Sequence, residues 1–183
     1  MHVGHINLER SMNGMGEHFV RLVEALDRQG LQQHVIVANQ SLARRVAICE
    51  NVAIGPITTT AVMAYCLMPD VDVVHAHDPK SNQAGLVLRL TRSIPFVLTR
   101  RCVHAPGRNP MSRSLIERAA TIICPTDAAA EAVLYIDPSV PVDIVRDISC
   151  ESDEAHDENH IAAEHHRIYR RAIDTKRVPA MLL

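Results

Sequence analysis

The sequence has few aromatic residues: they make up 3% of its 183 residues, and tryptophan is absent. Platforms on which bases or sugar rings could stack are therefore scarce. It also has no strong charge of either sign, because 19 basic and 21 acidic side chains give a net charge of −2. This balance excludes a generally basic nucleic-acid binder and a highly charged disordered chain, so we expect no nucleic-acid partner.

Long apolar runs and paired cysteines are missing too. No run reaches the ~18 residues of a membrane span, and the first five residues lack the basic start and apolar stretch of a signal peptide. The five cysteines never show Cys-x-x-Cys spacing. We therefore expect a cytoplasmic protein without a transmembrane segment, whose thiols are reduced and mostly buried.

Short apolar runs alternate with helical patterns along the first 149 residues. This alternation predicts an α/β fold, with a doubly wound, Rossmann-like parallel sheet of about six to seven strands and helices on both faces. We expect the strand order 3-2-1-4-5-6 with right-handed crossovers. The predicted strands are Val3–Leu8, His34–Ala38, Val52–Ile57, Val71–Ala76, Pro95–Thr99, Thr121–Cys124 and Val142–Val145. The predicted helices between them are Glu17–Gln29, Ala61–Leu67, Asn82–Leu90, Met111–Ala119 and Asp127–Tyr135.

The composition changes near residue 150, where Glu151–Glu158 holds five acids and no Lys or Arg. We therefore divide the chain into a domain, 1–149, and an acidic linker plus helical tail, 150–183. The tail helix is predicted over Ile161–Ile173. Without a second domain, the face of domain 1–149 that would meet it is exposed, and large exposed apolar patches are uncommon on soluble monomers. We expect Val178–Leu183 to be covered, and the tail helix to pack on its own domain or on a partner through Ala162, Ile168, Tyr169 and Ile173.

A glycine-containing segment, Asn13–Glu17, lies between the first strand and the first helix. The backbone N–H groups of a helix N-terminus at this place suit an anion. It is a poor dinucleotide fingerprint, because Phe19 replaces the third glycine and Asn39 stands where NAD needs an acid. A small oxidoreductase-like protein is therefore disfavoured. The other interpretation of Gly14 and Gly16 is a tight turn that needs glycine.

Two histidines and an aspartate end the fourth predicted strand. Because residues two apart share a face, His75 and His77 should emerge together beside Asp78 at the carboxyl edge of the sheet. They either contact a substrate, or form one buried, hydrogen-bonded His and one polar His at the mouth. A metal site would need further ligands, and no spacing supports adding Asp78 or His104. The tail histidines are interpreted as a polar helix face: His156, His160, His165 and His166.

Arginine dominates the basic residues, with 17 Arg to 2 Lys, and seven of them lie between residues 89 and 118. Only Glu117 opposes them there. Arg100 and Arg101 close a strand, where their forked side chains would suit a phosphate-bearing partner. For Arg89, Arg92 and Arg118, a solvated helix face is the simpler interpretation. We expect one cleft to be lined by Gly14, Gly16, His77, Asp78, Arg100 and Arg101.

Five motifs follow one another in a set order: Gly14–Glu17, Arg28–Gly30 with His34–Val37, Asp72–His77, Ile94–Arg101, and Ala120–Thr126 with Ala130–Glu131. Together they resemble the N-terminal, acceptor-binding domain of GT-B glycosyltransferases of the family 4 type, over roughly residues 1–149. In whole enzymes of this type a second domain holds a nucleotide-sugar donor. The resemblance implies sugar transfer across the cleft to a glycan, lipid or small acceptor, without a required metal, and we expect no cofactor.

The resemblance also assigns residues. Gly14 and Gly16 match the glycine loop near the donor phosphates and the acceptor, and His75 and His77 match the His-x-His motif of the family. The substrate-binding residues are thus expected to be Gly14, Gly16, Glu17, His75, His77, Asp78, Arg100 and Arg101, with no metal ligand and no assigned catalytic residue.

The chain departs from the family pattern at three places. Many relatives carry His where this chain has Arg101, the usual Asn-Gly linker signature is replaced by Arg146-Asp147-Ile148, and a donor-binding domain is not present. We therefore expect a glycosyltransferase-type domain of polysaccharide biosynthesis that does not turn over alone. Its partners would be a nucleotide sugar, a phosphorylated glycan or lipid acceptor, and a donor-domain protein or a second copy. The alternative is a non-catalytic module that binds an anionic glycan or a separate donor-domain protein.

Overall fold

The computed structural model describes residues 1–11, 14–107, 109–148 and 155–176. In these ranges a single parallel sheet has the strand order β3-β2-β1-β4-β5-β6-β7. Its strands are β1 His2–Asn7, β2 Gln32–Val37, β3 Val52–Ile54, β4 Val73–Ala76, β5 Phe96–Thr99, β6 Thr121–Cys124 and β7 Val142–Ile144. This sheet confirms the predicted fold class and strand order, and β7 extends the order at one edge.

Helices connect the strands, and their starts follow from the sequence. They are α1 Gly14–Arg28, α2 Gln40–Val46, α3 Ala61–Leu67, α4 Pro79–Arg92, α5 Pro110–Arg118, α6 Asp127–Leu134 and α7 Ala155–Lys176. A short polar side chain caps five of them by accepting a hydrogen bond from a backbone N–H of the first turn, which stabilises each helix by about 1 kcal/mol. These caps are Asn39, Thr60, Asp78, Asn109 and Thr126.

Two predictions about helices were incomplete. The helix α2 was not predicted, although Asn39 caps it through a hydrogen bond that its Oδ1 accepts from the Ser41 N–H at 2.7 Å. The helix α4 begins at Pro79 and not at Asn82, because Asp78 caps it and proline is well suited to the first helical position.

Both faces of the sheet are buried, as predicted for parallel strands. On one face Val74, Phe96 and Ile122 join the core that includes residues of α3, α4, α5 and α6. On the other face Val73 and Val97 join a core that includes residues of α1 and α7. The alternation follows from the two-residue period of strand side chains.

The tail helix α7 packs on its own domain. Ala162, Ile168 and Tyr169 are fully buried, and Ile173 packs against the same core, as predicted for the apolar stripe. At the start of α7, Glu158 accepts a hydrogen bond from the guanidinium of Arg28 on α1 at 2.7 Å. The helix starts at Ala155, within the predicted acidic linker. The remainder of that linker and Val178–Leu183 lie outside the described residues.

The expectation that most thiols are buried was wrong for the described cysteines. Cys66 and Cys102 are exposed, Cys49 is partly exposed and Cys124 is buried, all four as free thiols. Cys66 lies in the last turn of α3 and Cys102 in the loop after β5, where both face solvent. Among the described helices, none is both long and apolar enough to cross a lipid bilayer.

Candidate functional site

The N-terminus of α1 lies at the carboxyl edge of the sheet. Gly14 is exposed, and a Cβ added to it would meet no atom of the described chain within 4 Å, whereas Gly16 is buried. Asn13, the first residue of the predicted loop, lies outside the described residues. The first backbone N–H groups of a helix have no intrahelical acceptor and carry partial positive charge. The exposed end of α1 at Gly14 is therefore a candidate anion site.

The carboxylate of Glu17, one turn into α1, faces α2. It forms a two-point hydrogen-bonded ion pair with the guanidinium of Arg45, in which Nη2 lies 2.8 Å from Oε1. Arg21 lies on its other side at 3.7 Å. The hydrogen bond from Arg45 is the main cause that lowers the pKa of Glu17. Glu17 therefore joins α1 to α2, and its charge is matched by arginine.

Asp78 has both carboxylate oxygens bound to backbone N–H groups. Oδ1 accepts from Lys80 and Ser81 in the first turn of α4, and Oδ2 accepts from Leu8 after β1 at 2.6 Å. The side chain is buried among these donors. Asp78 thus ties the end of β1 to the start of α4.

The two neighbouring arginines at the end of β5 differ in their partners. Arg101 makes a two-point ion pair with Asp147, with Nε 2.7 Å from Oδ2 and Nη2 2.9 Å from Oδ1. Arg100 donates to the backbone oxygen of His104 at 2.6 Å and has no carboxylate partner among the described residues. Its Nε is buried without a hydrogen-bond partner there. Arg100 is thus the member of the pair that keeps an unmatched positive charge.

His75 on β4 and His77 just after it do share a face, but neither side chain stands at an open mouth. Their ring centroids lie 3.8 Å apart, and their residues are 0% and 5% exposed. One nitrogen of His75 lies 2.7 Å from the Tyr169 hydroxyl and the other 2.7 Å from the Thr99 hydroxyl. His77 Nε2 lies 3.0 Å from His5 Nδ1. The sequence left open either contact with a substrate or one buried His with one polar His at the mouth. Both rings are buried, so a polar His at the mouth is not observed.

Three further buried histidines lie near this pair, and sequence reasoning missed them. They are His5 on β1, His18 on α1 and His165 on α7. The interpretation of His165 as part of a polar helix face was wrong, since it is 1% exposed and packs beside His75 and Tyr169. His5 joins the pair through sheet register, since it lies opposite His75 where β1 pairs with β4.

Burial keeps these imidazoles neutral. Desolvation is the largest cause that lowers the pKa of His5 and His18 to about 3 and that of His165 to about 4. It also lowers the pKa of His75 and His77 well below the ordinary value. The charged form of each ring loses more hydration than its neighbours replace.

The predicted residues meet in part. Arg101 Nη1 donates to the backbone oxygen of His77 at 3.4 Å, and Phe19 of α1 lies edge-on to the His77 ring, with centroids 4.9 Å apart. The ends of β4 and β5 and the start of α1 therefore adjoin.

A separate cavity of ≈ 470 Å³ shares none of the predicted residues; it is lined by Gly107, Arg113, Ile116, Glu117, Tyr135, Ile136, Asp137 and Pro138.

The loop after β5 contains a cysteine–histidine pair that the sequence did not predict. Cys102 Sγ lies 3.7 Å from His104 Nδ1 in the loop after β5, and both residues are exposed. The exposed positions leave this pair outside the buried histidine cluster.

A doubly wound parallel sheet with an exposed helix N-terminus at its carboxyl edge defines a class of nucleotide-type binding folds. Within that class, the family model described as Glycosyltransferase Family 4 matches residues 12–145. The chain therefore belongs to glycosyltransferase family 4, which confirms the resemblance seen in its motifs.

Solved structures share the fold at low sequence identity. Anabaena HepE in complex with UDP and glucose superposes with a TM-score of 0.58 at 10% identity, covering 80% of this chain and 44% of that chain. S. aureus MnaA with UDP has a TM-score of 0.56 at 16% identity, again covering 80% and 44%. The chain thus spans less than half the length of these neighbours. A comparison with curated proteins finds no match.

Proposed function

We propose that this domain takes part in sugar transfer from a nucleotide-sugar donor to a glycan or lipid acceptor, and that it binds phosphate groups at the carboxyl edge of its sheet. The observation that supports this most is the unmatched guanidinium of Arg100 at the edge that also holds the exposed N-terminus of α1. Family membership points to the same chemistry.

The proposed site has two kinds of positive group. The exposed start of α1 at Gly14 offers the positive end of a helix, and Arg100 offers a charged fork. Such fixed groups stabilise the negative charge that develops on a leaving phosphate without having to reorganise. Arg101 acts differently in this proposal, since its ion pair with Asp147 holds the loop that carries Arg100.

The solved neighbours include complexes with UDP and with UDP-glucose. We propose UDP-type donors for this chain on that basis, with a phosphorylated glycan or lipid as acceptor. In this proposal a donor-binding surface outside this domain completes the site. A place in polysaccharide synthesis on the cytoplasmic side is part of this proposal.

The test is a thermal-shift and calorimetric screen of the full chain against UDP, UDP-glucose and phosphorylated sugars. A ligand that binds the folded state raises the melting temperature. Losing one charge-assisted hydrogen bond costs about 1.5–3 kcal/mol, so Arg100→Gln should weaken binding by about 10- to 100-fold. The matched control is Arg118→Gln, on the exposed face of α5, which should bind as the wild type does. Absence of binding by the wild type, or equal binding by both variants, would contradict the proposal.

A second candidate is a non-catalytic module that binds an anionic glycan or a donor-domain protein. It is favoured by the state of the titratable residues predicted to bind substrate: the carboxylates of Glu17 and Asp78 are engaged, and the rings of His75 and His77 are buried. Release of UDP from UDP-glucose in the presence of acceptor glycans separates the two. Binding without turnover, even after a donor-domain protein is added, would favour the module.

A further inference from the structure

We propose that His5, His75 and His77 form a binding site for a divalent transition-metal ion of the zinc type, buried between the sheet and the layer of α1 and α7. His5 projects from β1, and His75 and His77 come from β4 and the position just after it. One ring nitrogen from each residue lies within 4.8 Å of the other two. None of these residues is needed for the phosphate site, so the two proposals stand or fall separately.

Coordination requires small shifts: the nitrogens of His5 and His77 must move slightly apart, while all three ligand nitrogens already lie within 4.8 Å of one another. His5 Nδ1 and His77 Nε2 lie 3.0 Å apart. Two nitrogens bound tetrahedrally to one zinc ion at about 2.0–2.1 Å lie about 3.3–3.4 Å apart. Neutral imidazole is the ligating form of histidine and is preferred by zinc, copper, iron and nickel over magnesium or calcium. Burial maintains that neutral form here.

Two nitrogens of the histidine pair have no hydrogen-bond partner among the described residues. A single proton can lie between His5 Nδ1 and His77 Nε2, and the outer nitrogens, His5 Nε2 and His77 Nδ1, are buried without a partner among the described residues. Buried polar groups left in this state are rare in folded proteins. A metal ion would take both inner lone pairs, which requires a tautomer change at one ring and no loss of a proton.

Neighbouring groups could orient two of the ligands. Gln33 lies beside His5, and its Oε1 is also buried without a partner among the described residues. It can accept the outer N–H of a metal-bound His5, the kind of outer contact that fixes the tautomer of metal-ligating histidines. His75 has hydroxyl partners at both nitrogens. When one nitrogen binds metal, the hydroxyl at the other, Tyr169 or Thr99, can accept the remaining N–H.

The site is closed by aromatic rings. The Phe19 ring lies 4.9 Å from that of His77, and the Tyr169 ring lies 6.2 Å from that of His5, as centroid distances. We therefore expect loading as the chain folds, since metal binding and folding are coupled where the site forms only in the folded state.

The experiment starts from the full chain, unfolded in denaturant with a chelator and then refolded with or without Zn²⁺. After exchange into buffer with a weak chelator, the wild type should retain one zinc ion per chain and melt at a higher temperature than the zinc-free preparation. X-ray absorption on this wild-type sample should show imidazole nitrogens at about 2.0–2.1 Å from zinc. No retained zinc, or a shell of oxygen ligands, would overturn the proposal.

Variants locate the ion. His5→Gln and His77→Gln should each lose the retained zinc. The matched control, His160→Gln with His166→Gln, removes tail histidines outside the cluster and should keep it. Zinc lost in the control but kept in His77→Gln would assign it to the surface of α7 and contradict the proposal, as would equal retention in all variants. If a cluster variant does not fold, the wild-type absorption spectrum still decides between the outcomes.

Discussion

Asp147 holds the guanidinium of Arg101 at two points, although the residues lie 46 positions apart in the chain. The pair joins the loop after β5 to the segment after β7, and His18 Nε2 adds a third contact, 3.3 Å from Asp147 Oδ1. Both residues lie where the sequence departs from the family pattern. The structure therefore relates two separate sequence differences through one contact.

The first prediction concerns the stability of this pair. Arg101→Gln and Asp147→Asn should each destabilise the protein, and the double variant should lose less than their sum, with a coupling of about 0.5–3 kcal/mol in urea unfolding. The exposed pair Arg113–Glu117 is the control, since such pairs couple by about 0.3–0.5 kcal/mol. Strictly additive effects at Arg101 and Asp147 would show that the ion pair contributes nothing.

The second prediction concerns the docking of α7. Tyr169→Phe removes the hydroxyl that partners His75 at 2.7 Å and leaves a buried ring nitrogen unsatisfied. We expect a loss of about 1–3 kcal/mol in the free energy of unfolding. Tyr135→Phe, at a residue 73% exposed, should leave it unchanged. Equal effects of the two variants would mean that the buried hydroxyl does not hold α7.

The third prediction concerns the loss of folding stability at acidic pH. The pKa of His18, lowered mainly by burial to about 3, and that of His165, lowered to about 4, lie below the value in the unfolded chain. The unfolded chain therefore binds more protons, so stability is complete above pH ~6.5 and falls as the pH decreases, by up to ~1.4 kcal/mol per unit for each group.

This loss can be measured as the urea midpoint at pH 7 and at pH 5. The midpoint should fall in the wild type and in His160→Gln, whose histidine is exposed, and fall less in His18→Gln. An unchanged wild-type midpoint would contradict the burial of neutral histidines.

Much of the fold could be predicted because its signals are local. Val73–Ala76 is a short apolar run, and the apolar stripe of α1 recurs with the helical period, so element type and order follow. The helix α2 was missed because only Leu42, Ala43 and Val46 are buried in it, too few for a clear stripe. Its cap, Asn39, was considered only as the residue that ends strand two.

The site was less predictable because its contacts are distant in sequence. Strand ends correctly placed His77, Asp78 and Arg101 next to each other. Nothing local distinguishes Arg100 from Arg101, since the difference is made by Asp147 from another segment. In the same way, His5 and His165 join His75 only through sheet register and the return of α7.

The central claim is that phosphate groups bind at the exposed N-terminus of α1, and Gly14 offers a direct test. Gly14→Asp places a carboxylate at that terminus, where no atom of the described residues lies within 4 Å of the new Cβ. The helix dipole should then keep or raise the stability by about 0.3–1 kcal/mol, while the negative charge repels a phosphate ligand. Gly14→Asn is the neutral control of the same shape. In calorimetric titration with UDP-glucose, we predict binding by the wild type and Gly14→Asn and at least tenfold weaker binding by Gly14→Asp. Equal affinity in Gly14→Asp and Gly14→Asn would contradict the claim.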